Sequence, residues 1–149
     1  MKRIHIAIMR KSWCLTQKIL NGEKIVETRW YMSKYKPWGQ IKEGDIVYFK
    51  DSGKPVTVKA VISKVEQYSG LDENIRKKIL KKYTQKDLGI TEIESEIVQY
   101  VNNKRYCIVI HLKNPKKVKP FKIDKRGYGA MASWLIVDDI NKIKIKQVN

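Results

Sequence analysis

Apolar and polar residues alternate in the first segment of the chain, RIHIAIMR, which places Ile4, Ile6 and Ile8 on one side. This alternation predicts a β-strand with two distinct faces. The next segment, WCLTQKIL, has apolar residues at helical spacing. We expect Ser12 to cap the start of a helix there and Gly22 to follow its end, because glycine accepts the left-handed conformation.

Further short segments are rich in β-branched residues and are separated by turn residues, which predicts strands. They read KIVETRW, DIVYFK, VTVKAVISKVEQY, YCIVIHL, FKID, ASWLIV and INKIKIK. The basic segment KNPKKVKP, with its two prolines, predicts a connection between two of them. Adjacent hairpins of this kind indicate an antiparallel or mixed sheet that curls into a small barrel.

The hydrophobic period changes to that of a helix near residues 70–103. LDENIRKKILKKY carries its apolar residues on one helical stripe, and TEIESEIVQYVNNK opens with a capping box from Thr91 to Glu94. The sequence therefore predicts an α+β fold, a small β-barrel with flanking helices and a helical insertion. No linker divides the chain, so we expect residues 1–149 to form a single domain.

The net charge of +17 is the strongest feature of the composition. A small domain this basic is typical of proteins that bind nucleic acid, because neutralising phosphates releases counterions. A lysine-rich composition can also reflect genome bias or a hot habitat. We expect RNA or a nucleotide-like ligand as the partner.

The two cysteines, Cys14 and Cys107, are far apart in sequence, which predicts reduced, buried thiols in a cytoplasmic protein. His5 and His111 are isolated in alternating segments, so we expect structural roles for them and neither a metal site nor a cofactor. There is no HExxH, P-loop or Rossmann glycine pattern. No apolar run approaches the roughly 20 residues that a membrane helix needs.

Charged residues interrupt the strand segment that follows the first helix, GEKIVETRWY. Alternation places Glu27 and Arg29 on one face, and Lys24 lies where turn becomes strand. They could form a solvated ion pair, or they could line a cavity that binds a ligand. Arg29 offers a planar fork of donors suited to a phosphate or a base edge.

The segment from Gly22 to Arg29 resembles the G-x-K-x-x-E-x-R signature of the ASCH family. The preceding helix and the downstream segments IKEGDIVYF and VTVKAVISKVEQY agree with that family over residues 1 to about 68. The resemblance implies a PUA-like β-barrel that binds RNA or handles nucleotides, with Lys24, Glu27 and Arg29 in a cleft.

Some ASCH proteins resemble amidohydrolases that act on acetylated cytidine, and others have been proposed as ribonucleases. The resemblance therefore implies an alternative: a hydrolase acting on a modified nucleoside or on RNA, with Lys24 and Glu27 as the acid–base set. Glu27 replaces the family's second threonine, and Thr28 is expected to face the other side of the strand. The family's downstream glutamate could correspond to Glu66.

Other residues are expected around the proposed cleft. Ser12 and Trp13 would lie near its edge, Gly22 would allow close backbone approach, and Lys50 could contribute from across it. A basic rim is expected to contact phosphates and consists of Lys116, Lys117, Lys119 and Arg126. The same rim could be merely solvated, or it could contact an acidic protein partner.

Overall fold

The computed structural model describes residues 2–10, 14–88 and 95–145. Its elements, in chain order, are β1 (Ile4–Met9), α1 (Leu15–Leu20), β2 (Val26–Tyr31), β3 (Ile46–Asp51), β4 (Val56–Tyr68), α2 (Glu73–Leu88), α3 (Ser95–Val101), β5 (Tyr106–Phe121), β6 (Trp134–Val137) and a 3-10 helix (Ile140–Lys142).

The six strands form one sheet in the order β2-β5-β4-β3-β1-β6. Strands β1 and β3 are parallel, and every other neighbouring pair is antiparallel. The sheet curls into a half-barrel with β2 at one edge and β6 at the other. The α+β fold, the barrel architecture and the helical insertion predicted near residues 70–103 are confirmed.

The inner face of the half-barrel carries the main apolar core, because alternate residues of every strand point there. Phe49 on β3 and Ile108 and Ile110 on β5 are fully buried in this core, and α1 covers it with Leu15 and Ile19.

Helices α2 and α3 cover part of the outer face, over β2 and β5. Ile79 and Tyr83 of α2 and Val101 of α3 pack against Trp30 and Cys107 of these strands. A third cluster, on the outer side of β1, β3 and β6, is closed by residues near the C-terminus such as Ile143.

A series of buried hydrogen bonds connects the turn before β3 to strands β1 and β6. The indole Nε1 of Trp134 donates to His5 Nδ1 at 3.0 Å, so His5 Nε2 donates to the Asp45 carboxylate at 2.9 Å. Asp45 also accepts from the backbone N–H groups of Arg3 and Lys42. The structural role expected for His5 is therefore supported by geometry.

Several local predictions were wrong. KNPKKVKP is not a connection but the second half of β5, which runs unbroken from Tyr106 to Phe121 because β4 is long enough to pair with it. The described part of INKIKIK, residues 140–145, is not a strand, since a 3-10 helix forms there and Lys144 makes an isolated bridge to Ile123. Cys14 is exposed, while Cys107 is buried.

The prediction that Ser12 caps α1 was wrong, because the helix begins at Leu15 and Cys14 takes the N-cap position. The predicted Thr91–Glu94 capping box lies outside the described residues, as does Ser12 itself. The predicted C-terminal signal of α1 does lie within them. Asn21 ends the helix and Gly22 follows with φ +84°, a left-handed conformation that glycine adopts without strain.

Candidate functional site

The residues of the GxKxxExR motif lie at the edge of the sheet. In the antiparallel register with β5, Glu27 is opposite Ile110 and Arg29 is opposite Ile108. Both partners belong to the inner core, so Glu27 and Arg29 point into the half-barrel and not outward. The intervening residue, Thr28, faces the helices, as the alternation predicted.

Lys24 lies beneath this pair and is 1% exposed. The first turn after α1 directs it inward, since its backbone N–H donates to the carbonyl oxygen of Lys18 at 3.0 Å. Its ammonium donates to the carbonyl oxygen of Val26 at 2.7 Å and to Oε1 of Glu27 at 3.1 Å. A buried lysine is tolerated only when such partners compensate for lost hydration.

Arg29 bridges the two edges of the half-barrel. Its Nη2 donates to Oε2 of Glu27 at 3.0 Å and to the carbonyl oxygen of Ile8 in β1 at 3.3 Å. Its Nη1 lies 3.4 Å from the carbonyl oxygen and 3.3 Å from the hydroxyl of Ser133, just before β6. The guanidinium also lies over the ring of Trp134, with Cζ 5.1 Å from the centroid.

Glu27 and Arg29 each favour the charged form of the other. Burial alone raises the pKa of the Glu27 carboxyl, but the neighbouring charges of Lys24 and Arg29 outweigh it and hold that pKa below its usual value. Burial likewise works against the charged form of Arg29, yet Glu27 raises the net pKa of the guanidinium. Glu27 is therefore a carboxylate with a cation on each oxygen.

A cavity of about 190 Å³ opens beside this group. Glu27 and Arg29 form its polar wall, while α2 and α3 contribute apolar side chains such as Ile79, Tyr83 and Ile97. Lys24 does not line it and acts from behind Glu27. Two of the three predicted cleft residues thus reach the cavity.

The rim of the cavity is aromatic and cationic. Tyr100 of α3 is 40% exposed, and its ring is approached by Arg10 Cζ at 5.1 Å and by Lys104 Nζ at 5.1 Å. Tyr100 and Arg10 line the cavity with Ser133. The sequence signal for this rim was weak, because it combines side chains from three distant segments.

Several predicted site residues lie away from the cavity. Gly22 is in an exposed turn with open space where a Cβ would be, so no close backbone approach is needed there. Lys50 does not line the cavity, although it pairs with the lining residue Ile8 in the β1–β3 register. Ser12 and Trp13 lie outside the described residues.

The predicted basic rim does not surround the cavity mouth. Lys116, Lys117 and Lys119 lie on the second half of β5, which pairs with the start of β4, whereas the cavity adjoins the first half. Arg126 is exposed and pairs with Asp124 at 2.6 Å. Strand β5 is long, so residues close in sequence are far apart along the sheet.

Glu66 and His111 form a separate polar cluster. Glu66 Oε2 accepts from the Tyr83 hydroxyl at 2.5 Å and lies 3.0 Å from His111 Nε2. Although burial alone raises it, the hydrogen bonds from His111 and Tyr83 bring the pKa of Glu66 from 4.5 to about 2. Burial and the bond to Glu66 raise the pKa of Tyr83 to about 12.

This cluster lies on the face of the sheet opposite to Glu27. Glu66 pairs with Val109, which belongs to the core beneath α2 and α3, whereas Glu27 pairs with Ile110 of the inner core. Glu66 therefore does not join Lys24 and Glu27 in one site, as alignment with the family's downstream glutamate would require. Its role is to connect α2 to the sheet through Tyr83.

Within residues 2–10, 14–88 and 95–145, no group of three or more His, Cys, Asp or Glu side chains could hold a metal ion. The same portion of the chain contains no helix long and apolar enough to cross a membrane.

The fold is similar to that of solved structures. A crystal structure of ASCH from Zymomonas mobilis superposes with a TM-score of 0.67 at 12% identity, over 93% of this chain and 90% of that one. A point variant of that protein gives a TM-score of 0.66 at 12% identity, with 91% of each chain covered. No protein-family profile and no curated protein matches the sequence. The chain thus has the same fold as these ASCH structures.

Proposed function

We propose that this protein binds RNA or a nucleotide-like ligand in the cavity beside Arg29. The observation that carries the proposal is the placement of the Arg29 side chain, which is 13% exposed, in the wall of a concave site. Its contacts to Ile8 and Ser133 are long, at 3.3–3.4 Å, and their acceptors are neutral. A phosphate or base edge would be a stronger acceptor for the same donors.

The remaining walls suit a planar base. Trp30 and Tyr83 contribute aromatic surface, and Tyr100 offers an exposed ring at the rim with two cations close to it. Aromatic rings and Arg planes stack on bases irrespective of sequence. At about 190 Å³ the cavity is smaller than the roughly 300–1,000 Å³ of drug-sized sites. We therefore propose that the cavity holds a single nucleotide unit of this ligand.

The ionisation and the ion pairs of Glu27 favour a binding function over hydrolysis. A general base works best with a pKa near the operating pH, but the pKa of Glu27 is lowered and both of its oxygens are engaged by cations. Lys24 and Glu27 are proposed to hold Arg29 in position, and we assign them no acid–base step.

The test is the affinity for a fluorescein-labelled RNA tetranucleotide of random sequence, measured by anisotropy between 50 and 200 mM salt. We expect binding that weakens as salt rises, because phosphate contacts release counterions. Ser133→Phe, which fills the mouth from an exposed position, and Tyr100→Ala, which removes the stacking ring, should each weaken binding by about tenfold.

Ser69→Phe is the matched control for Ser133→Phe, since Ser69 is also exposed and does not line the cavity. It should bind as the wild type does. Absence of RNA binding at low salt, or wild-type affinity in both rim variants, would refute the cavity as the binding site.

A further inference from the structure

A second basic surface lies on β4 and the far half of β5. We call it the lysine surface, and it consists of Lys59, Lys113, Lys116, Lys117 and Lys119. It includes side chains from both faces of the sheet, since Lys116 shares the face of Lys59 whereas Lys117 is opposite Val58 of the inner core. The four lysines of β5 are exposed, and none of the five makes an ion pair within the described part of the chain. The segment 112–123 contains no acidic residue at all.

Two of these lysines are directly opposite each other. Lys59 and Lys116 are cross-strand partners in the antiparallel register of β4 and β5. Like charges in this position destabilise a sheet. Neither lysine is neutralised by an acid in the described residues, so a bound anion from outside the chain would relieve the repulsion.

The open edge of β5 indicates which kind of anion the lysine surface can bind. Only the first half of β5 pairs with β2; among the described strands, the half from Lys113 to Phe121 has β4 on one side and no strand on the other. Pro115 and Pro120 lack the N–H groups that a further strand would need. Prolines and lysines at an open edge oppose pairing with a protein strand. They leave a row of positive charges suited to a flexible polyanion.

The distance between the lysine surface and the cavity determines how long a ligand must be to contact both. Glu27, in the cavity wall, is opposite Ile110, and Lys116 and Lys119 follow six and nine residues later on the same strand. At about 3.3 Å per residue this is roughly 20–30 Å along β5. By the shorter route across the sheet, Phe121 pairs with Val56, Val56 with Lys50, and Lys50 with the cavity-lining Ile8, which is three strand spacings or roughly 14 Å. Stacked nucleotides rise about 3.4 Å each along one strand, so these distances correspond to about four to nine nucleotides.

We infer that the lysine surface binds the backbone phosphates of an RNA strand, one nucleotide of which occupies the cavity. This inference rests on the function proposed above. It adds a minimum length to the ligand: a tetranucleotide bound in the cavity does not reach the lysine surface, whereas a 12-nucleotide strand bound there does.

The experiment compares labelled RNAs of 4 and 12 nucleotides, both of random sequence, by anisotropy at 50–200 mM salt. The variant is Lys59→Gln/Lys116→Gln/Lys117→Gln. The matched control is Lys77→Gln/Lys78→Gln/Lys81→Gln, which removes the same charge from exposed positions on α2. Circular dichroism verifies that both variants fold.

We expect the wild type to bind the 12-mer at least about tenfold more tightly than the 4-mer. The lysine-surface variant should lose most of that gain, and its slope of log K against log salt should fall by about 2, since each single-strand phosphate contact contributes about 0.7. The control variant should keep the gain, and 4-mer binding should be equal in all three proteins.

Three results would overturn the inference. They are an unchanged slope in the lysine-surface variant, an equal loss in the control variant, and competition by poly-glutamate as effective as by RNA of the same charge. A different result would show that the cavity proposal fails: Ser133→Phe would bind the 4-mer as tightly as the wild type does.

Discussion

The guanidinium of Arg29 in β2 donates to the backbone carbonyl oxygen of Ile8 in β1, although three strands lie between β2 and β1 in the sheet. The half-barrel curls until its two edges approach each other, and Arg29 spans the gap between them. The side chain proposed to contact the ligand thus also connects the edges of the sheet. Stability and binding are therefore coupled at this residue.

Replacing Arg29 with methionine should destabilise the fold. The change leaves Glu27 buried with one cation in place of two and breaks the contacts across the edges. Removing one partner of a buried pair is costly, and we expect a loss of about 2–4 kcal/mol in the free energy of unfolding. Urea denaturation at neutral pH measures it.

Arg126→Met is the matched control for this variant. Arg126 also pairs with an acid two residues earlier, Asp124, but its side chain is 92% exposed. Exposed pairs contribute little, so the unfolding curve should not change measurably. Equal losses in Arg29→Met and Arg126→Met would contradict a special role for the edge-bridging pair.

Glu66→Gln should make stability less dependent on pH. The pKa of Glu66 is lowered from 4.5 to about 2 in the folded protein, so its ionised form stabilises the fold above about pH 4.5. That contribution disappears as pH falls through about 2. At pH 7 the free energy of unfolding of the wild type should exceed that of the variant by about 1–3 kcal/mol, a range that allows for the partial solvent exposure of Glu66.

Denaturation at pH 7, 4.5 and 2.5 measures the difference between these two proteins. It should be largest at pH 7 and much smaller at pH 2.5, where protonation of Glu66 in the unfolded chain has removed most of the contribution and its protonation in the folded protein has begun. A difference that stayed constant across this range would show that the carboxylate charge is not what stabilises the link between β4 and Tyr83.

Asp45→Asn should disrupt the buried chain that begins at Trp134. Asp45 is fully buried and accepts from His5 and from two backbone N–H groups, and these bonds outweigh burial to lower the pKa of its carboxyl. The side-chain amide of asparagine would point N–H donors at groups that now donate to Asp45. A buried polar group left without a hydrogen-bond partner costs about 1–3 kcal/mol. Thermal unfolding measures the loss, and the exposed Asp138→Asn should leave the midpoint where it is.

Lys116→Glu should change stability and RNA binding in opposite directions. Opposite Lys59, a glutamate would convert a repulsive cross-strand pair into an attractive one, worth about 0.2–1 kcal/mol of added stability. The same change places negative charge on the lysine surface and should weaken 12-mer binding. Urea denaturation and anisotropy on one preparation give both values. A less stable protein would show that Lys59 and Lys116 do not repel.

Local patterns in the sequence were sufficient for the elements and for the motif. The alternation in KIVETRW placed Glu27 and Arg29 on one face of a strand, and the helical period correctly marked α2 and α3. These features depend on near neighbours, whose spacing is set by the geometry of one strand or one helix. The error at KNPKKVKP arose because pairing with β4, a long-range interaction, outweighed prolines that locally signal a connection.

The tertiary structure alone decided how these elements form a site. The approach of β2 to β1 and Ser133, the burial of Lys24 behind Glu27, and the joining of Glu66 to Tyr83 and not to Glu27 all depend on strand order and register. The distance between the lysine surface and the cavity has the same origin. Sequence periodicity assigns a residue to a face of its own strand, but the partner across that face is determined by how distant segments pack.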